Sequence, residues 1–261
     1  MALQIAAVRE RVPWCKPRHD RPATCCVRVS TPPDRPDLAT YSQLEQISLG
    51  VAPSWNSPDI TTDNDFPWTL LAQASVVVRN LSATASAVNA LVNVSTSAFG
   101  IGMPRTPLSA QQISLGPSSQ VTLNYPYTPA ILAGDASIGT FVDIQHPYDS
   151  RLINNTGAQT LKGVTTTNAG RAIAFSFPVA NQQAGPRTIS LAVFTGTLGG
   201  TLSMTSHAFV AFEQISVTLH VTVPAAMHGT GAAPVYNEIT VVGTSGGALV
   251  DGCTFIVWVD D

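Results

Sequence analysis

Ala74-Ser75-Val76-Val77-Val78-Arg79-Asn80-Leu81-Ser82, followed after a short polar interval by Leu91-Val92-Asn93-Val94-Ser95, is the stretch on which the fold turns. Two β-branched runs with apolar residues at alternate positions fit pleated strands that bury one face. A helix would instead place its apolar residues three and four apart and cover its surface with Glu, Lys and Arg. The 261-residue chain has few such residues: 11% are charged, and Lys16 and Lys162 are its only lysines. An ordinary soluble domain has about 25% charged residues. At 44% apolar the chain has ample material for a core, which excludes wholesale disorder. No apolar run approaches the roughly 18 residues of a membrane span.

The same pattern extends in both directions. Gln111 to Leu115 and Gln120 to Tyr125 flank Gly116-Pro117-Ser118-Ser119 and predict a hairpin; Ile138 to Ile144 is a further β-branched run. The second half continues with strands over Arg171 to Val179, Thr188 to Phe194, His207 to Phe212, Ile215 to Val223, Glu238 to Val242 and Thr254 to Val259. Short strands separated by turns indicate sandwiches. Weak internal similarity suggests two of them. Val78-Arg79-Asn80 parallels Val179-Ala180-Asn181, Gln112-Ile113-Ser114 parallels Gln214-Ile215-Ser216, Val121-Thr122-Leu123 parallels Val217-Thr218-Leu219, and Thr140-Phe141-Val142 parallels Thr254-Phe255-Ile256. The expected organisation is an extended arm over 1–40, one sandwich over 41–150 and a second over 151–261. Tyr41 to Gly50 reads as one helical turn or a leading strand.

The arm is set apart by composition. Pro13, Pro17, Pro22, Pro32, Pro33 and Pro36 exclude a continuous helix or a central strand. Seven of the thirteen basic residues fall in the first 36 positions against three acidic ones, a net +4; the other 225 residues carry −7. A basic arm on an acidic body suits docking on a neighbouring subunit, with Arg9, Arg11, Arg18, Arg21 and Arg28 as the contacts. Nucleic acid is disfavoured, since Trp14 is the arm's only aromatic and offers no stacking series. Cys15, His19, Cys25 and Cys26 are ligands of the right type for zinc, but not at finger spacing. Free thiols are the favoured reading, with zinc or a disulfide within the arm or to a neighbour as the alternatives, and Cys253 reads as a buried apolar residue. Residues 2 to 8 precede the first charges rather than follow them, so the N-terminus does not read as a secretory signal.

Ser57-Pro58-Asp59-Ile60, the Ala74–Ser82 stretch, Val92-Asn93-Val94, Val142-Asp143-Ile144 and Asn154-Asn155-Thr156-Gly157 together resemble bacterial immunoglobulin-like repeats of the CARDB, or cell-adhesion-related, kind. The resemblance covers about 100 residues of the first unit, and the second more weakly. It implies all-β, seven-stranded immunoglobulin-like sandwiches used as spacer, adhesive or assembly modules. It brings no catalytic residues, and the arm lies outside it.

Catalytic signatures are sparse. Gly243-Thr244-Ser245-Gly246-Gly247 matches the G-x-S-x-G nucleophile elbow, which would make Ser245 the nucleophile of a serine hydrolase. The last histidine, His228, precedes it, so a glycine-rich hairpin fits better. His146-Pro147-Tyr148-Asp149 reads as a turn, and Asp59, Asp63, Asn64 and Asp65 as turn residues rather than a calcium loop. His207 and His220 fall inside apolar strands. The expectation is a non-enzymatic structural or assembly module without a cofactor, a homo-oligomer with no membrane span. A glycan- or cell-surface-binding module using Trp55, Trp68 and Tyr127 is the alternative.

Overall fold

The computed structural model describes residues 34–62, 73–126, 138–225 and 235–260. In chain order the elements are β1 (Leu38–Ala39), helix α1 (Gln43–Ser48), β2 (Ile60–Thr61), β3 (Gln73–Asn80), β4 (Ala87–Ala98), β5 (Thr106–Leu115), β6 (Ser119–Pro126) and β7 (Ile138–Gln145). They continue with β8 (Thr156–Asn168), β9 (Ala172–Ala180), β10 (Arg187–Thr195), β11 (Gly199–Leu202), β12 (Ser206–Phe209), β13 (Gln214–Thr222), β14 (Val235–Ser245) and β15 (Ala248–Asp260). The protein is all-β. Alternation works as the opening stretch requires: Ala74, Val76 and Val78 are buried, as are Ala90, Val92 and Val94 opposite them, while their odd-numbered or even-numbered neighbours are more exposed.

One eight-stranded sheet, in the order β12-β10-β14-β15-β8-β7-β4-β5, runs through both halves of the chain. Two smaller sheets supply the opposing layers. In the first, β6 lies along one edge of β3, while β1 and β2 share the other end to end; the second is β11-β13-β9. Each layer pair encloses its own core. Leu38, Ile60, Val76, Val92, Leu123, Tyr125 and Val142 belong to the first. Phe175, Phe177, Val217, Leu219, Ile239, Phe255 and Val257 belong to the second, where Phe255 meets the rings of Phe99, Phe175 and Phe177 at 4.9–5.5 Å.

Where separate sandwiches meeting at residue 150 were expected, residues 34–261 form one compact unit. The reason is β8. Its residues 156–160 pair antiparallel with β7, completing the first sandwich, while residues 161–168 pair parallel with β15 in the second. Phe99 and Ile101 also cross over. Both lie in the second core, and Ile101 exchanges backbone hydrogen bonds with Pro178 and Ala180 on β9 at 3.0 and 2.9 Å.

The internal repeat is real at its first match and shifted elsewhere. Asn80 and Asn181 end equivalent strands, are fully buried, and use their side chains alike. Asn80 donates to the carbonyls of Ala85 and Gly116, and its Oδ1 accepts from Ser82 N. Asn181 donates to Gly185 and Val210 and accepts from Gln183 N. These bonds make Gly116 and Val210 counterparts. The ladders agree, with Val78 opposite Val121 and Val179 opposite Ile215. Gln112–Ser114 in β5 and Gln214–Ser216 in β13 are therefore not equivalent. Nor are Thr140–Val142 and Thr254–Ile256, since β7 corresponds to β14 and β15 is the strand after it. The hairpin expected around Gly116–Ser119 is instead a crossing between sheets, with β5 paired to β4 and β6 to β3. Alternation fixes which face of a strand is buried but not which strand lies beside it.

The sister turns differ in one residue that matters energetically. Ser118 has φ of +48° and its counterpart Phe212 +58°. The left-handed region costs a bulky L-residue about 1–2 kcal/mol. Phe212→Asn is therefore expected to raise stability by about 1 kcal/mol, read as a higher urea midpoint at unchanged slope.

Candidate interaction site at the sandwich junction

The chain between β1 and β2 builds the junction. Ser42 caps α1 by accepting from Glu45 N and fixes it in place by donating to Ile153 O at 2.7 Å. Gln43, on the helix's inner side, bonds both backbone groups of Ala158 on β8, with Nε2 on the carbonyl at 2.8 Å and Oε1 accepting from the amide at 3.0 Å. The loop beyond the helix then delivers Trp55 onto β15. Trp55 is 1% exposed; its indole N–H donates to Asp251 Oδ1 at 3.1 Å and its backbone N–H to Thr254 Oγ1 at 2.9 Å. The ring lies flat over Gly252, where a Cβ would stand 2.6 Å from ring carbons. Glycine is therefore required by the approach of the indole. Phe141, Ala158 and Val242 complete this third, smaller cluster.

Asp251 is the buried charge of the junction. It accepts from the amides of Gly252 and Gly102 and from the Trp55 indole, with the Arg105 guanidinium 3.6 Å away. Burial pushes its carboxyl up to about 6, against the opposing pull of Arg105 and the hydrogen bonds. Arg105 rests over the Phe141 ring at 3.7 Å. A cleft of about 420 Å³ opens beside this group, lined by Gln43, Asn93, Ser95, Arg105, Asp143 and Asp251 among others. It contains two carboxylates, a guanidinium, amides and hydroxyls, and no histidine, cysteine or lysine among its described lining residues. The arrangement can hold and orient a polar group.

The raised Asp251 acidity has a definite sign. An aspartate in the unfolded chain titrates near 3.8, so between about pH 4 and pH 6 the folded state holds more protons than the unfolded state. Stability from this group is fully present below pH 4 and is lost as pH rises through 6, by about 3 kcal/mol in total. Asp251→Asn keeps an acceptor for Trp55 and Gly252. It is expected to remove that part of the pH slope, compared as urea midpoints of variant and wild type at pH 4.5 and pH 7.5.

Other residues singled out in the sequence take quieter places. Arg9, Arg11, Arg18, Arg21, Arg28, Cys15, His19, Cys25 and Cys26 lie outside the described residues, as do Trp68, Tyr127, Asp63, Asn64, Asp65 and His228. Trp55 is packed in the junction rather than lining an open aromatic groove. Asp59 forms a two-pronged ion pair with Arg79 and accepts from Tyr41 N. His146–Asp149 is a turn in which Asp149 is nearly buried and takes the amides of Leu38 and Arg151 at 3.1 and 2.9 Å. His207 contacts Glu213 at 3.2 Å, and the Val210 amide, with this bond second to it, pulls the Glu213 carboxyl down. His220 is exposed, and Cys253 is buried in the second core. Ser245 pairs with Ala248 across a two-residue turn whose Gly246 and Gly247 both have positive φ, so the hairpin stands where an elbow would need a helix. Among the described residues no three His, Cys, Asp or Glu side chains cluster as metal ligands, and no helix is long and apolar enough to cross a membrane. Arg105 and Asp251 carry no local sequence signal, because 146 positions separate them and only the fold brings them together.

No protein-family model matches the chain, and no curated protein matches it in sequence. Solved structures are similar at low scores. Escherichia coli alpha-2-macroglobulin activated by porcine elastase aligns with 87% of this chain at 9% identity and a TM-score of 0.29. The chain spans 22% of that protein's length. Red sea bream transglutaminase aligns with 83% of this chain and 33% of its own at 14% identity and a TM-score of 0.27. The CupB6 tip adhesin from Pseudomonas aeruginosa aligns with 72% of this chain and 89% of its own at 8% identity and a TM-score of 0.27. At such scores these likenesses carry no argument about what this chain does.

Proposed function

We propose that the chain is a non-enzymatic assembly or adhesion module of the bacterial immunoglobulin-like kind, whose basic N-terminal segment docks on a neighbouring copy. One observation carries this reading. The eight-stranded sheet ends at β5, a ten-residue strand, Thr-Pro-Leu-Ser-Ala-Gln-Gln-Ile-Ser-Leu, without a single charge. A protein that must stay monomeric blunts such an edge with charge, proline or a bulge; Pro107 and the register shift beside it do so at the start of β5, but residues 109–115 have neither charge nor proline, and their free backbone groups invite another strand. The charge asymmetry of the sequence supports the same reading, since a net +4 segment is joined to a body of net −7. A glycan-binding reading loses the part of its support that rested on Trp55.

Light scattering of the full-length chain, beside a variant lacking residues 1–33, tests the proposal. The full chain is expected to self-associate, and the shortened one to lose most of that association. An unchanged assembly state on deletion would overturn the docking role, and a full-length chain that is monomeric at all concentrations would overturn the assembly reading altogether.

A further inference from the structure

The flank of the first sandwich between β5 and β6 is built differently from its counterpart in the second. Asn80 and Asn181 make β3 the counterpart of β9, and chain order and the ladders then match β4 with β10 and β6 with β13. Between β10 and β13 the chain is divided over both edges. There β11, of four residues, lies on β13, and β12, also of four, lies on β10. Very short strands are one way in which sheet edges are blunted. Between β4 and β6 the chain instead lays all ten residues of β5 on β4. Among the described residues β5 pairs with β4 alone, so its other edge carries unpaired backbone groups. The same flank leaves apolar side chains half covered: Leu108 and Ile113 of β5 and Val121 of β6 pack on the first core but are only partly buried.

The open stretch has a natural centre. Pro107, which lacks an N–H, and the register shift beside it close one end, and Gly116-Pro117 closes the other. Residues 109–115 remain, with Gln112 in the middle. Ser109, Gln111, Ile113 and Leu115 share the core-facing side with Val94, Val92, Ala90 and Ala87 opposite them, while Ala110, Gln112 and Ser114 are exposed. When two copies of this stretch meet antiparallel around a two-fold axis at Gln112, Ser109 meets Leu115 and Gln111 meets Ile113. The core-facing sides of both copies then fall on one face of the joined sheet. The two open flanks face each other, and Leu108, Ile113 and Val121 of one copy gain cover from the other. A second copy suits this edge better than the basic N-terminal segment does. Residues 106–126 contain no charged residue, so self-pairing sets no like charges opposite each other. The first 36 residues, at net +4, would find no acidic side chain there.

We infer that residues 109–115 of β5 pair antiparallel with the same residues of a second copy, joining two eight-stranded sheets into one. This rests on the assembly reading above, and it assigns the β5 edge to a two-fold contact separate from the docking of the basic segment.

The test uses the full-length chain, with association followed by sedimentation velocity at low salt. One variant combines Ala110→Lys with Gln112→Lys, and another Ala110→Glu with Gln112→Glu. Both change only exposed side chains, and each sets like charges across the axis, whether it lies at residue 111 or 112. Each is expected to weaken this contact about tenfold. An equimolar mixture of the two is expected to regain association, because positive charge then faces negative across the axis. The chain lacking residues 1–33 should retain pairs and form nothing larger. If both variants associate like wild type while loss of residues 1–33 abolishes association, this inference falls and the assembly reading stands. A full-length chain that is monomeric at all concentrations overturns both. Weakening by only one sign of charge would mean that the edge meets a charged surface rather than itself, which overturns the inference. A mixture that stays dissociated, while both variants keep the wild-type urea transition, overturns it as well.

Discussion

Trp55→Ala is expected to destabilise the protein by about 3–5 kcal/mol, the range for truncating a buried aromatic that the surroundings cannot collapse to replace. The indole is almost wholly enclosed between the two sandwiches, and Gly252 beneath it offers no side chain to fill the space. Its removal also strips Asp251 of the indole N–H, leaving a buried carboxylate with fewer donors. The larger consequence is for cooperativity. Trp55 belongs to the cluster that joins the first core to the second, so the variant should unfold in two steps where wild type unfolds in one. Calorimetry of both proteins decides this: a single, equally sharp transition in Trp55→Ala would show that β8 alone couples the sandwiches.

Asp59→Ala should cost about 2–3 kcal/mol. The carboxylate is 5% exposed and binds Arg79 through both oxygens, one prong at 2.6 Å, while also accepting from Tyr41 N at 2.7 Å. Removing one member of a fully buried pair costs about 3–5 kcal/mol. The Arg79 side chain is 36% exposed and can be rehydrated when its partner is lost, which lowers the figure. The Tyr41 amide has no such relief. Urea denaturation of Asp59→Ala, Arg79→Ala and the double variant separates these contributions. A coupling energy below about 0.5 kcal/mol would mean that the pair holds little of the stability and that Asp59 acts mainly through Tyr41.

How far the sequence could be read follows from which interactions are local. Strand identity in β3, β4, β9 and β13 was legible because burial on one face writes a period of two into the residues themselves. The Gly246–Gly247 hairpin was legible because two successive positive-φ residues demand glycine. Partner choice was not, and the Gly116–Ser119 segment shows why. Its residues specify a tight reversal, yet the Asn80 side chain, 36 positions away, helps hold that reversal where the chain passes between sheets. The division near residue 150 was misplaced for a related reason. Asn154 and Asn155 do lie at a break, but the strand after them serves both sandwiches, and nothing in Thr156–Asn168 marks position 160 as a change of partner. The junction was least legible of all. Trp55 read as a possible surface aromatic, since its partner is the absence of a side chain at Gly252.

The shared strand β8 has a mechanical meaning. Because one continuous backbone segment is bonded to β7 over its first part and to β15 over its second, a pull along its axis loads each ladder in shear, with the bonds of a ladder sharing the force. Separating two sandwiches joined only by a flexible tether would merely straighten the tether. Here tension between the halves must slide β8 past β7 or β15. The two halves are thus joined by a ladder rather than by a tether.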